Sequence, residues 1–320
     1  MQYSSGKRIS NNLAKIYCKI IFSYLGNTND EGLVNFIKTK ILFMKSFTKL
    51  FGVAFLSVVL IASCKKDDVE EVVTVTPVTV AKEYSVKISA SNEIPANMRT
   101  ENGTGSLKIF SDNSISFNIA LSNFVTTDTI KSAHIHLGNP VNNGGIVVGF
   151  VVTAIAGTME GKASNVRQTL VDSLKNNTAE FYVNIHTAQL PGGLARGQVG
   201  KNILQAYNVV LSGLNEPIPV TTTATGTAFV RISEDNKLIS RITITGLEAA
   251  DTLRFAHIHI GATGVNGPVI TNLADSKLNF ETTEIRTIST GLADSIATRM
   301  VYVNVHSNFS PGGKLRGQIR

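Results

Sequence analysis

Between residues 82 and 320 the apolar positions recur mostly at every second residue. Val86 and Ile88, Leu107 and Ile109, then Ile115, Phe117, Ile119 and Leu121 alternate with polar residues and are bounded by Gly, Asn, Asp and Ser. That pattern predicts half-buried strands joined by turns. Phe229, Ile232, Ile239, Ile242 and Ile244 supply a second such series. One stretch departs from period two: Val166, Leu170, Val171 and Leu174 follow a spacing near 3.6 and predict a short helix ahead of a strand at Phe181.

The two series are copies of each other. Ala133-His134-Ile135-His136-Leu137-Gly138 returns as Ala256-His257-Ile258-His259-Ile260-Gly261, an offset of 123 residues (257 − 134). Phe181-Tyr182-Val183-Asn184-Ile185-His186 returns as Val301-Tyr302-Val303-Asn304-Val305-His306, an offset of 120 (306 − 186). All six histidines of the chain fall in these motifs. Pro191-Gly192-Gly193 followed by Arg196-Gly197-Gln198 answers to Pro311-Gly312-Gly313 followed by Arg316-Gly317-Gln318, and Asn92-Glu93 to Asn215-Glu216. Each copy, about 115 to 120 residues, is large enough to bury its own core. The expected fold is all-β: two tandem β-sandwich or Greek-key domains, 82–203 and 204–320, each with one short helix.

A different kind of sequence precedes the repeats. Met44-Lys45-Ser46-Phe47-Thr48-Lys49 is a short basic segment, Leu50 to Leu60 is apolar, and Ile61-Ala62-Ser63 leads into Cys64. This resembles a bacterial lipoprotein signal peptide, 44–63, in which the cysteine becomes the lipidated first residue of the mature chain. The apolar run is well short of the ~20 residues of a membrane span, and Lys65-Lys66-Asp67-Asp68 follows at once. Residues 1–43 are expected to be a non-native or unstructured extension upstream of that signal, although Leu13, Ile16, Tyr17, Ile20 and Ile21 fall at helical spacing. Residues 64–81, rich in Val, Thr and charge, are expected to be the lipidated cysteine and a tether. The resemblance implies an outer-membrane lipoprotein, periplasmic or surface-exposed.

Processing changes the electrostatics. The chain has 30 Lys plus Arg and 23 Asp plus Glu, of which residues 1–63 hold 8 and 2, so the formal charge falls from +7 to +1 (22 − 21). No basic patch interleaved with aromatics points to nucleic acid. Removing the leader also deletes Cys18 and leaves Cys64 alone, so no intramolecular disulfide is expected.

Strand geometry gives the histidines a common face. Successive side chains alternate, so His134 and His136 lie opposite Ala133, Ile135 and Leu137, the expected core set. Phe181, Val183 and Ile185 take the core side of the later strand, placing Tyr182, Asn184 and His186 on the other. If the two strands are neighbours, three imidazoles converge in each repeat.

These ordered motifs, AHIHLG, YVNIHT and PGGLARGQV followed by AHIHIG, YVNVHS and PGGKLRGQI, resemble the CHRD domain, first described in chordin and common as tandem copies in bacterial secreted proteins. The resemblance covers nearly all of residues 82–320 and implies a fold, with no established chemistry. Chordin's ligand binding rests largely on separate cysteine-rich modules, which a mature chain with one cysteine lacks, so growth-factor antagonism is not implied.

The histidines admit three readings. The first is a metal site: an H-x-H strand plus a histidine on its neighbour suits copper or zinc, with His134, His136 and His186 in one set and His257, His259 and His306 in the other. Tyr182 and Asn184 would stand behind the ligands. The second is a polar network that fixes strand register, in which histidines bond to glycine-rich turns and Arg196 and Gln198, or Arg316 and Gln318 beside Asn304, tie the last strand to the same face. The third is a metal-dependent redox enzyme. The H-x-H strand is similar to that of copper,zinc superoxide dismutase, but that two-metal site consumes more ligands than three histidines supply. Glu93 and Glu216, each close to a proline, read as strand or turn starts. No catalytic triad, phosphate loop or paired carboxylate emerges. The chain is therefore expected to be a non-catalytic binding or structural module, held to the membrane through Cys64 and engaging a protein or glycan partner, with metal binding as the alternative.

Replacing the lipid-bearing residue tests the leader. Cys64→Ser is expected to move the protein from the membrane fraction to the soluble fraction with both repeats still folded. Unchanged membrane association of the variant would contradict the lipoprotein assignment.

Overall fold

The computed structural model describes residues 76–155 and 157–320. Cys64, the signal peptide 44–63, the segment 1–43 and the tether as far as residue 75 lie outside the described residues.

Repeat one begins with β1 (Val80–Ser89), two residues inside the stretch read as tether. It continues through β2 (Asn102–Phe110), β3 (Ile115–Ser122), β4 (Ile130–Leu137), β5 (Ile146–Gly149), β6 (Val151–Ile155), β7 (Thr158–Ala163), α1 (Gln168–Asn176), β8 (Phe181–Thr187) and β9 (Ala195–Gln198). The strands form one antiparallel sheet in the order β5-β4-β8-β9-β1-β2-β3-β7-β6. β9 returns to lie beside β1 of the β1-β2-β3 meander, the Greek-key arrangement. The two edges, β5 and β6, are separated in sequence by Phe150 alone. The sheet must therefore curl until its edges meet, and a single twisted sheet wraps both walls of the core. Phe150 packs edge-on against Phe117 at 4.7 Å between ring centres.

The core is the period-two set. Val86, Leu107, Ile109, Ile115, Ile119, Ala133, Ile135, Val183 and Ile185 are fully buried on the inner face. The predicted helix is α1, with Val171 and Leu174 facing that core. Asn177 ends it in the left-handed conformation (φ 51°), its N–H donating to Ser173 O. Tyr84 of β1 donates its hydroxyl to Leu174 O at 2.7 Å, fixing the helix end to the first strand.

Repeat two comprises β10 (Ile203–Ser212), β11 (Thr225–Ser233), β12 (Lys237–Thr245), β13 (Leu253–Ile260), β14 (Val269–Ala274), β15 (Glu284–Thr287), α2 (Thr290–Thr298), β16 (Val301–Ser307) and β17 (Leu315–Gln318). Its order, β14-β13-β16-β17-β10-β11-β12-β15, repeats the first sheet with one strand fewer. Ser289 caps α2 by accepting from Leu292 N–H. The expected all-β architecture, two copies with one short helix each, is the observed one.

Two expectations about individual side chains do not hold. Leu137, read as core, is the last residue of β4 and 47% exposed, although Phe181 opposite it is buried. Phe229 and Ile239, placed in one apolar series with Ile232 and Ile242, lie instead on the outer face of repeat two and are buried against repeat one, in a cluster with Val141 and the partly buried Ile94. Their parity is opposite to that of Val230, Ile232, Leu238 and Ile242, which fill the repeat-two core. The register equivalents in repeat one are Ser106 and Ser116, which are polar. Arg231 beside them is fully buried and donates to Asn92 O of repeat one at 3.4 Å, and Asn139 and Asn142 both donate to Thr283 at 2.9 and 2.8 Å.

Ile239 therefore reports on the contact between repeats. Ile239→Ala in the full chain is expected to cost about 2–4 kcal/mol by chemical denaturation. In the isolated segment 204–320, where repeat one no longer covers that face, the same change is expected to cost less than about 1 kcal/mol. Equal losses in both would place Ile239 in the repeat's own core.

Candidate metal centre

The register of β4 against β8 decides which side chains meet. Ser132 lies opposite His186, His134 opposite Asn184, and His136 opposite Tyr182. β9 extends the rows, with Arg196 opposite Asn184 and Gln198 opposite Tyr182. Side chains opposite one another in an antiparallel pair share a face. The predicted residues His134, His136, His186, Asn184, Arg196 and Gln198 thus line the face turned away from the core. Repeat two reproduces the rows with Phe255 opposite His306, His257 opposite Asn304, His259 opposite Tyr302, then Arg316 opposite Asn304 and Gln318 opposite Tyr302.

The imidazoles do converge. In repeat one the His134 ring centre lies 4.9 Å from that of His186 and 5.7 Å from that of His136. In repeat two the corresponding separations are 5.2 and 5.6 Å. Each trio offers one nitrogen per ring, all within 4.8 Å of one another.

Backbone carbonyls orient the rings. His136 Nδ1 lies 3.0 Å from Gly144 O and His186 Nδ1 3.0 Å from Pro191 O. His259 Nδ1 and His306 Nδ1 each lie 2.9 Å from their counterparts, Gly267 O and Pro311 O. A carbonyl oxygen only accepts, so each of these four Nδ1 atoms carries the proton and leaves the Nε2 lone pair free in the neutral ring. Those Nε2 atoms are buried and have no hydrogen-bond partner among the described residues, and the same holds for Nδ1 of His134 and His257.

The rings are held neutral. Burial is the first cause of a lowered pKa at all six, with the neighbouring imidazoles adding to it at His134, His186, His257 and His306. His257 is pushed down to about 4, against a smaller opposing pull from Asp275.

The loops that carry those carbonyls are built from the remaining motif residues. A Cβ at Gly144 would lie 1.5 Å from Leu137 O, so only glycine brings this carbonyl down onto His136. Tyr182 accepts from Gly144 N–H at 3.3 Å and stacks on the His136 ring, 4.9 Å away and 12° from parallel. The fully buried Arg196 lies 4.1 Å from the Tyr182 ring centre and donates to Asn139 O, Asn142 O and Asn143 Oδ1. Gln198 donates to Gly138 O at 3.0 Å. Arg316 and Gln318 repeat these bonds to Ala262 O, Val265 O and Gly261 O.

The second loop is the Pro-Gly-Gly turn. Gly193 has φ +140°, and a Cβ there would meet the Glu93 carboxylate at 2.7 Å and the Asn184 amide at 2.9 Å. Glu93 and Glu216 are accordingly more than strand starts: both are buried, 3% and 7% exposed, and pack beside the turns that carry Pro191 O and Pro311 O. Burial pushes Glu93 up to about 7, with the Arg196 charge working against it, and raises Glu216 in the same way. Asn304 donates to Glu216 at 3.5 Å. The expected bonds from histidine to the glycine-rich turns are present, although the sequence does not say which four carbonyls accept them; sequence reasoning missed the Ser132/Phe255 difference, which the 123-residue offset could have shown.

The CHRD domain family model matches twice, at residues 84–199 and 207–319. Comparison with curated proteins and with solved structures gave no match. A CHRD domain is not a known catalytic fold, and tandem copies suggest a binding or structural module. Both matches span the histidine motifs and the strands that bring them together, and the chain belongs to the CHRD domain family, with two copies of the domain in tandem.

Proposed function

We propose that this is a lipid-anchored envelope protein whose two CHRD domains each hold one transition-metal ion, copper or zinc. The ligands are His134, His136 and His186 in repeat one and His257, His259 and His306 in repeat two. One observation carries the proposal: in each trio two rings spend Nδ1–H on a backbone carbonyl, and every ring keeps one buried nitrogen without a partner among the described residues.

Two effects compete in explaining those rings. A register-fixing network accounts for the carbonyl bonds, and it is present. It does not account for the six unpaired nitrogens, since each buried unpaired polar atom costs about 1–3 kcal/mol. A shared cation removes that cost for three atoms at once. Carbonyl bonds that fix tautomer and ring orientation are the usual support behind histidine ligands. Three neutral imidazoles suit zinc and copper and leave a further position open. Nitrogens bound to one such ion at about 2.0–2.1 Å stand roughly 3.3–3.5 Å apart, inside the 4.8 Å within which the nitrogens of each trio lie. Among the described residues each repeat offers one such donor group, and a dinuclear centre is not part of the proposal. Anchoring through Cys64 and an outer-membrane location, periplasmic or at the surface, rest on the leader sequence.

Isolated protein is expected to bind two equivalents of zinc or copper by calorimetric titration. Among the described residues the His134 and His257 rings find no hydrogen-bond partner, so His134→Ala with His257→Ala is expected to abolish tight uptake without a large loss of metal-free stability, because two unpaired buried nitrogens go with the rings. Failure of wild type to take up either metal would overturn the proposal.

The lowered histidine pKa values fix the sign of a pH effect. The unfolded chain takes protons near ~6.5 while the folded chain resists them, down to about 4 at His257. The histidine contribution to metal-free stability is therefore complete above ~6.5 and is lost as pH falls toward 4. The difference in melting temperature between wild type and the double variant is expected to move in that direction over that window, and Glu93, common to both proteins, cancels. A pH-independent difference would show that the rings are not held neutral.

A further inference from the structure

The two centres differ at their flanks. In repeat one the residue two before His134 is Ser132, opposite His186. Its equivalent in repeat two is Phe255, opposite His306. The Phe255 ring stacks on His257, 5.0 Å away and 25° from parallel, and its centre lies 4.7 Å from that of His306. Arg254 packs its guanidinium on the ring from outside, 5.3 Å from the centre. His306 is 7% exposed, whereas His186, flanked by serine, is only half-buried.

A second difference lies across the neighbouring strand. His134 is paired with Gly149 on β5, which has no side chain, and even a Cβ there would come no closer than 3.8 Å to the ring. His257 is paired with Asn272 on β14, which is tied to Asp275 at 2.7 Å, and Asp275 in turn to Arg286 at 2.6 Å. Repeat one is thus bordered by a serine and a glycine where repeat two is bordered by a phenylalanine and a bonded polar chain.

Resting on the three-histidine metal reading, we propose that the repeat-one centre admits a small exogenous ligand, water or a small anion, onto its metal beside Ser132 and Gly149, and that Phe255 closes the repeat-two centre to such a ligand. Three histidines leave a coordination position in each centre. The side chains around it decide access. A hydroxyl and a glycine leave a polar approach to the ion. An aromatic ring packed on two of the three ligands removes that approach, and an anion reaching the metal there must displace the ring or shed its own hydration against an apolar surface. One domain would then present a reactive or ligand-accepting ion and the other a closed one, within one chain.

Single-centre variants separate the two. His257→Ala keeps the repeat-one centre and His134→Ala keeps the repeat-two centre. Each is loaded with one equivalent of copper(II) and titrated with azide, following the azide-to-copper charge-transfer absorption. The His257→Ala protein is expected to saturate at an azide concentration at least tenfold below that needed by the His134→Ala protein. Ser132→Phe added to the former is expected to raise its half-saturation at least tenfold. Phe255→Ser, or Phe255→Ala should the serine variant fold poorly, is expected to lower that of the latter by a similar factor. Copper uptake by both variants with equal azide response, or flank exchanges that leave the response unchanged, would overturn the proposal while leaving the metal reading intact. Absence of copper uptake by both would overturn the metal reading and this proposal with it.

Discussion

The bond from a histidine Nδ1–H to a backbone carbonyl is the constraint on which the outer face of each repeat depends. Made at His136, His186, His259 and His306, it sets the tautomer, the ring orientation and the direction of the free lone pair together. Much of the motif can be understood as machinery for presenting those carbonyls. Gly144 permits the close approach, Tyr182 both accepts from the Gly144 N–H and backs the His136 ring, and Arg196 and Gln198 hold the loop from the last strand. Gly193 makes the turn that positions Pro191 and leaves room for the Glu93 carboxyl beside Asn184. A network whose members fix one another is costly to satisfy in part, and both repeats retain the whole set.

Duplication preserved this face and changed what surrounds it. Where repeat one has Ser106 and Ser116, repeat two has Phe229 and Ile239, buried with Arg231 against repeat one. Arg231 is fully buried, and its guanidinium is pushed down to about 9 by burial first and by Arg196 second, with Glu93 opposing. Arg196 and Glu93 belong to the polar layer behind the repeat-one histidines, so the contact between repeats and the support of that histidine cluster share residues. The flanks of the two histidine clusters differ as well, Ser132 and Gly149 against Phe255 and Asn272.

Most of the architecture was legible because period two and the repeat offset are both strong signals. The inner face of β1 to β4, the helix at Gln168–Asn176 and the convergence of the histidines follow from alternation and one assumption about neighbouring strands. What escaped has physical reasons. Phe229 and Ile239 break the parity of their strands, and alternation alone cannot distinguish a core from a second buried face. Leu137 keeps the parity, and alternation carries no mark that this last residue of β4 is exposed while Phe181 opposite it is buried. Glu93 and Glu216 resembled turn punctuation because their burial depends on a loop about 100 residues away in sequence. Bonds from histidine to the glycine-rich turns were legible, but not which carbonyls accept them, Gly144 O and Pro191 O, because a carbonyl belongs to the backbone that every residue shares.

Long-range proton–nitrogen correlation spectra of the histidine side chains of metal-free protein near pH 7.5 test the central claim directly, because they report which ring nitrogen carries the proton. His136, His186, His259 and His306 are expected as Nδ1–H tautomers with slowly exchanging protons, and His134 and His257 with Nδ1 unprotonated. Adding zinc is expected to shift the four Nε2 resonances and the Nδ1 resonances of His134 and His257. Nε2–H tautomers at the four carbonyl-bonded rings, or fully protonated rings at that pH, would contradict the account.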